Sequence, residues 1–548
     1  MQALSASFFH VKHVSRENHL LIRRLAVFEK LCMSDEIEIK FLCRGQQIDN
    51  LQQILSQWSV LEQQQLSLRN AYFDTPSMQF RKWKMGLRIR SSELENTQTI
   101  KTAGKVIGGI HQRPEYNFSI DGDRPDLSLF NDEIWPKSAN IELMQSQLAV
   151  LFATDFVRQR WLIEFSNSTI EIAYDQGSIV VDQRSSAINE IELELISGNV
   201  DDLFLLADSV ALLDGLRLSN VSKAQRGYAL AAQSLPVLNA KTIASIPLQG
   251  FRDSQSVDKA LLERCFSTWQ YNENAVAAAM QEYGHENDSN RVSHQTVLSL
   301  LQGLQESMQA CALCLSLLPN DKSTQETSQQ LTTYLERFHV INDAQQYWYL
   351  IENQEYLFRG LSTKQHLNEI IEQRLLELDL WNKTTQNIYS TQHCQLVLAM
   401  TKLIYSASSQ TSIESVQESD FSVTAYLSSL QSRMQSRNKL LSDTQTQFSD
   451  AELFASQLSI KDSLILSQLS AAWFDDAQVQ SYLLSWQDVL AGIEELVAYQ
   501  NLQDVLGTNE EDKKQSSTTQ WYQHKHLSLQ KAVLFSRQQA VLNSNFWI

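Results

Sequence analysis

Cysteine is scarce in this chain of 548 residues. Six thiols, at positions 32, 43, 265, 311, 314 and 394, cannot staple a fold of this length and fit a reducing compartment. Seven prolines and sixteen glycines exclude collagen-like and Pro/Gly-rich disordered classes. No apolar run approaches the roughly 18 to 20 residues needed to span a bilayer; stretches such as Ala471-Ala472-Trp473-Phe474 are soon interrupted by charge. The first 32 residues lack the unbroken apolar segment of a secretory leader, because Arg23-Arg24 and Glu29-Lys30 cut it short. These absences point to the cytoplasm and to no membrane partner. Positive charge is also in deficit: 45 Lys+Arg against 63 Asp+Glu leave a formal net charge of -18, which repels nucleic-acid phosphates at long range. No nucleic-acid partner is expected, and an anionic ligand must be held by a local cluster.

What is present is an ordinary globular composition, 43% apolar and 20% charged, long enough for roughly three to five domains or subdomains. Its grammar changes midway. Residues 33–235 hold most of the glycines and show short runs of apolar/polar alternation, with strands expected over 36–42, 87–90, 97–102, 113–120, 157–165, 169–175, 178–182 and 190–196. Helical patterns interrupt them at 48–58 and 200–213. Residues 236–254, punctuated by Pro236, Pro247 and Gly250, read as a linker. Residues 255–548 read as successive amphipathic helices over 255–283, 290–317, 323–352, 362–380, 392–407, 421–442, 449–469, 476–500 and 519–542, a helical-bundle pattern. From residue 241 onward about 21 basic residues face about 34 acidic ones, so about 13 of the 18 excess negative charges lie outside the first domain. The expected class is an α+β domain followed by an all-α domain.

In a strand, residues two apart share a face. Glu36, Glu38 and Lys40 alternate with Ile37, Ile39 and Phe41, and the pattern recurs at Arg88 and Arg90, at Lys101, at Arg158 and Arg160, and at Glu190, Glu192 and Glu194. Any one such strand could simply turn its charged face to water. Five together can instead line the inside of a closed barrel wide enough for a polar ligand. Carboxylates beside lysines and arginines suit a metal-polyphosphate complex: hard oxygens for the cation, forked guanidiniums and ammoniums for the phosphates.

Glu36-Ile37-Glu38-Ile39-Lys40 resembles the E-x-E-x-K opening of the CYTH, or triphosphate tunnel metalloenzyme, superfamily. The resemblance continues in order through Tyr72-Phe73-Asp74-Thr75-Pro76, Leu87-Arg88-Ile89-Arg90, Ile100-Lys101, the stretch from Gly108 to Tyr116, the Arg158/Arg160 and Glu190/Glu192/Glu194 strands, and Ser222-Lys223-Ala224-Gln225-Arg226-Gly227-Tyr228. The Gly-Gly-Ile-His-Gln-Arg-Pro-Glu-Tyr stretch and the long helical half are similar to the bacterial inorganic triphosphatase subgroup, in which a CHAD domain follows. The resemblance implies an eight-stranded antiparallel tunnel in which Lys40 acts at the reacting phosphoryl group of inorganic triphosphate. Arg88, Arg90, Lys101, Arg113, Arg158, Arg160, Lys223 and Arg226 would bind the substrate. Glu36, Glu38, Glu192 and Glu194 would hold Mg²⁺ or Mn²⁺, with Asp175, Glu171 and Glu190 as further candidates. Thiamine triphosphatase, adenylate cyclase and a catalytically silent polyphosphate binder remain alternatives.

Other features are read as structural. Ala103-Gly104-Lys105 does not complete a phosphate-binding P-loop. Cys311 and Cys314 lie in an apolar helical run with no second pair, so they are expected in a core. Asp74-Thr75-Pro76 suits a turn after a strand. His111 is expected to make a structural hydrogen bond, and Arg433, Arg437 and Lys439 to form a solvated helix face. Val292-Ser293-His294-Gln295-Thr296 is similar to the opening of a CHAD motif, but Val297, Leu301, Gln302 and Leu304 stand where basic residues belong. The helical half is therefore expected to be a scaffold, and long polyphosphate is not expected to bind it. Met33 leads directly into the first strand, so translation is expected to start there, leaving residues 1–32 outside the functional protein.

Overall fold

The computed structural model describes residues 34–91, 96–232, 239–248, 251, 253–283, 294–359, 364–410, 422, 425–430, 432, 447–507 and 516–543. The expectations about residues 1–32 and about Arg433, Arg437 and Lys439 lie outside them, as do Val292 and Ser293. The chain divides into two compact units: residues up to Val210 with Ser219–Ser234, and Ala211–Leu218 with Leu235–Ile548.

The first unit is a closed antiparallel barrel of eight strands. They are β1 (Ser34–Cys43), β2 (Ser59–Asp74), β3 (Gly86–Ser91), β4 (Asn96–Lys101), β6 (Ile110–Ile120), β7 (Ala149–Phe165), β8 (Ser168–Val181) and β9 (Arg184–Ser197), with a short strand β5 (Lys105–Ile107) laid on β6. Around the wall the order is β1-β9-β8-β7-β2-β3-β4-β6, closed by pairing of β6 with β1. Closure removes the exposed strand edges and gives every strand an inner and an outer face. The two strands expected over 169–175 and 178–182 are one strand, β8, which runs unbroken along β7 and β9. A strand before the Asp74 turn was implied, but the length of β2 was not. Its first seven residues are exposed and mostly polar, so they carry no apolar alternation, and the strand is defined by its long ladder with β7.

The outer faces are covered by apolar packing. Phe73, Leu87, Ile89 and Ile100 meet Leu127, Phe130 and Met144 from the segment between β6 and β7. One end of the interior is also apolar, where Leu68, Tyr72, Phe152, Phe156, Ile179 and Ile188 pack with Tyr228. Tyr228 belongs to a helix, α1 (Lys223–Ala231), that starts with a reciprocal cap: the Ser222 hydroxyl accepts from the Gln225 amide and the Gln225 side chain accepts from the Ser222 amide. A β-carbon at Gly227 would stand 2.1 Å from the Phe152 ring, so only glycine lets this helix approach the wall. The Asp74-Thr75-Pro76 turn has the structural role its sequence implied. Asp74 accepts the amides of Thr75, Phe80 and Arg81 and the Tyr228 hydroxyl at 2.7 to 3.1 Å.

The second unit is helical. The helix expected over 323–352 is two, Lys322–Leu335 and His339–Glu352, joined by a 3-10 turn, and Leu380–Ile388 is a separate helix. Segment 239–248, within the expected linker, is held on this unit. The Lys241 amide donates to Asn272 at 2.7 Å and the Trp473 indole donates to the Ile246 carbonyl at 2.6 Å. Cys265, Cys311 and Cys314 are fully buried, with 3.6 Å between the sulfurs of Cys265 and Cys314. No helix among the described residues is long and apolar enough to cross a membrane.

Candidate active site: a charged barrel interior

The barrel encloses a cavity of about 1160 Å³, and the sequence motifs converge on it. Glu36, Glu38, Lys40, Arg88, Arg90, Lys101, Arg113, Arg158, Arg160, Glu171, Glu192, Glu194 and Lys223 all line it. Asp175, Glu190 and Arg226 do not. Asp175 and Glu190, partners across the β8–β9 ladder, are fully buried, and Arg226 donates to Ser186 and to the Ala187 carbonyl.

At one level of the barrel the charges are matched. Asp175 accepts from Arg158 through both oxygens at 2.7 Å and pairs with Lys223 at 2.7 Å. Glu190 pairs with Lys223 as well, and with Lys40 at 3.8 Å. Glu192 takes Arg158 at 2.7 Å, Lys40 at 2.8 Å and Lys223 at 3.0 Å. Burial by itself would raise the Glu192 carboxyl, but Lys223, Lys40 and Arg158 outweigh it and hold that group well below the ordinary carboxylate range. Oxygens of Asp175, Glu190 and Glu192 lie within 4.8 Å of one another, a spacing suited to a cation. Lysine and arginine nitrogens already stand there.

At another level the carboxylates outnumber their cations. Register puts Glu38 opposite Glu194 on β9, and Glu194 opposite Glu171 on β8. Burial first, then the neighbouring Glu36 and Glu171, push the Glu194 carboxyl up to about 8. Glu36 is pushed up to about 7, chiefly by burial, although Lys101 pairs with it. Glu38 faces the same burial, yet Lys40 at 3.9 Å helps keep it below its ordinary value.

The cations are unbalanced in the opposite sense on the β3 and β6 walls. Arg88 has Glu115 at 3.5 Å and Arg160 has Glu171 at 2.6 Å, whereas no ion pair to a carboxylate is made by Arg90 or Arg113 among the described residues. Arg90 is lowered to about 10, by burial first and then by Arg88 and Arg158.

Several cavity residues were missed in the sequence. Glu115 lies in the Arg-Pro-Glu stretch and pairs with Lys101 at 3.1 Å, and its alternation with Arg113 on β6 was the available signal. Arg81 and Lys84, in the turn between β2 and β3, also reach the cavity, outside any strand pattern. His111 differs from expectation. It stands opposite Glu38 with 1% exposure, neither ring nitrogen has a hydrogen-bond partner among the described residues, and burial lowers it to about 4.

The CYTH domain family matches residues 34–228. Over 201 residues the chain is 41% identical to the inorganic triphosphatase of Haemophilus influenzae, a stretch that covers 37% of this chain and 56% of that protein. The chain thus spans about half the length of this curated relative. Among solved structures, a Hippeastrum protein described as an adenylyl cyclase with a dominant triphosphatase activity is 19% identical, over 35% of this chain and 95% of that one, with a TM-score of 0.28. A Bacillus halodurans protein described as an adenylate cyclase is 19% identical, over 35% and 97%, with a TM-score of 0.24. The ordered motifs on the barrel strands and the family match agree in extent, and residues 34–228 are a CYTH domain.

Proposed function

We propose that the chain hydrolyses inorganic triphosphate to pyrophosphate and phosphate inside the barrel, with Mg²⁺ or Mn²⁺ as cofactor. One observation carries this reading: a single cavity holds both arginines without carboxylates and carboxylates without enough cations. A divalent cation bound to an oligophosphate corrects both imbalances, whereas either ion alone corrects one. The name of the Haemophilus influenzae relative supports the choice of substrate.

Glu36, Glu38, Glu171 and Glu194 offer the hard carboxylate oxygens that such cations prefer, and Glu36 and Glu194 are the ones left short of positive charge. This set fits better than Asp175, Glu190 and Glu192, whose charge is already neutralised. A bound cation would offset phosphate charge and acidify an attacking water. Arg88, Arg90, Lys101, Arg113, Arg158 and Arg160 would grip the phosphate oxygens, where developing charge makes fixed cations most effective. Lys40, anchored at 2.8 Å by Glu192, is assigned to the reacting phosphoryl group. Lys223 and Arg226 secure the wall from α1. We read residues 33–235 as the catalytic domain of a cytoplasmic protein, 236–254 as the join, and 255–548 as a CHAD-like scaffold.

A phosphate-release assay across triphosphate, long-chain polyphosphate, ATP and thiamine triphosphate, with and without Mg²⁺ or Mn²⁺, tests the proposal. Triphosphate should be the preferred substrate and chelation should abolish turnover. Faster turnover of thiamine triphosphate or ATP, or none of triphosphate, overturns it.

A further inference from the structure

Arg90 is held in an unusual way for a cation in this barrel. Its Nε donates to Asn70 Oδ1 at 2.9 Å, and Asn70 Nδ2 donates to Thr154 Oγ1 at 2.8 Å. The three residues form one cross-strand row, with Asn70 on β2 opposite Arg90 on β3 and opposite Thr154 on β7. Asn70 is 1% exposed and Thr154 is fully buried, and neither lines the cavity, so neither is placed to touch a ligand. Three other guanidiniums of the cavity lean on carboxylates: Arg158 on Asp175, Arg160 on Glu171, Arg88 on Glu115.

The choice of a neutral amide has a consequence. A carboxylate in the Asn70 position would fit the same space and accept the same hydrogen bond, but it would cancel the guanidinium charge where screening is weak. The amide oxygen instead orients Nε and leaves the full charge, with the terminal nitrogens, for another acceptor. Arg90, a donor only, faces the carbonyl end of the amide, and the Thr154 hydroxyl oxygen accepts from Nδ2 and holds the amide in that orientation.

We infer that Asn70 and Thr154 are positioning residues that present Arg90 to a phosphate oxygen as an oriented cation with no carboxylate directly paired to it. The inference rests on the triphosphate reading and deepens it, by assigning the anion selectivity of this wall to two buried neutral side chains.

The test is titration calorimetry of the full chain with inorganic triphosphate in EDTA, where turnover is stopped, beside KM and kcat with Mn²⁺. Asn70→Asp should weaken triphosphate binding by about tenfold or more, because a charged hydrogen bond is redirected to a fixed internal anion, with melting temperature retained. Thr154→Val should raise KM more than it lowers kcat, and Thr154→Ser should restore wild-type values. Wild-type affinity in Asn70→Asp, or a Thr154→Ser variant as impaired as Thr154→Val, overturns the inference. Pyrophosphate and sulfate serve as second probes. If wild type ignores triphosphate but binds either one in an Asn70-dependent way, the proposed reaction fails and the positioning role stands. If no anion binds, both fail.

Discussion

Glu38 and Glu194 are direct partners across the β1–β9 ladder, yet their carboxyls are driven in opposite directions, Glu38 below its ordinary value and Glu194 up to about 8. Lys40, two residues along β1 from Glu38, stands 3.9 Å from that carboxylate, while Glu194 has Glu171 as its partner on the other side. One row of the barrel therefore contains an anion that Lys40 compensates in part and another that awaits compensation.

Glu38→Gln should nearly abolish metal-dependent hydrolysis, to below about a tenth of wild type at saturating Mg²⁺, because a hard ligand is lost with little change in size. Circular dichroism should stay native. Glu194→Gln should also weaken Mn²⁺ binding, but it should raise the melting temperature of the metal-free protein at pH 8.5, since it deletes an unmatched buried charge. A metal-free Glu194→Gln protein that melts below wild type at that pH would contradict the assignment.

The raised carboxyls set a pH dependence. Glu36 at about 7 and Glu194 at about 8 hold protons in the folded chain that the unfolded chain releases near 4.5, so stability of the metal-free protein falls as pH rises through this window. His111, lowered to about 4, acts the other way below about pH 6.5, and the clean interval is pH 6.5 to 8.5. Melting temperature should decline across it without metal, and Mn²⁺ affinity should rise, roughly tenfold per pH unit for each proton displaced. A flat melting profile would remove both carboxyls from this role.

Asp175 is the keystone of the matched level. Asp175→Asn leaves Arg158 and Lys223 buried with less negative charge, and breaking such a buried network costs about 3–5 kcal/mol. Chemical denaturation of the barrel should register a loss of that size.

In the helical unit, Arg217 donates to Glu273 at 2.9 Å, and Glu273 also takes His393 at 2.9 Å and the Trp269 indole at 3.1 Å, all fully or nearly fully buried. Arg217→Met should destabilise this unit by about 3–5 kcal/mol, and adding Glu273→Gln should recover part of the loss, the signature of a coupled pair in a double-mutant cycle.

Much of this protein is determined by its sequence alone. Alternation with period two made β1 and β9 legible, because each has one face packed apolar and one face charged. The helical half was legible from its spacing, and the barrel motifs from their order. The first half of β2 was not, since Val60 to Gln65 are exposed and mostly polar and are defined as strand by the ladder to β7. The charged residues could be named individually, but their states could not. Glu192 and Glu194 share a strand and a face, and the sequence offers no reason to separate them. Cross-strand register does: it seats Glu192 opposite Lys40, where Arg158 and Lys223 also reach it, and seats Glu194 between Glu38 and Glu171. Asn70 and Thr154, 84 residues apart, become support for Arg90 by the same pairing. Local pattern specifies which residues face inward, whereas the energy of a buried charge depends on what lies within a few ångströms, and only the closed barrel sets those distances.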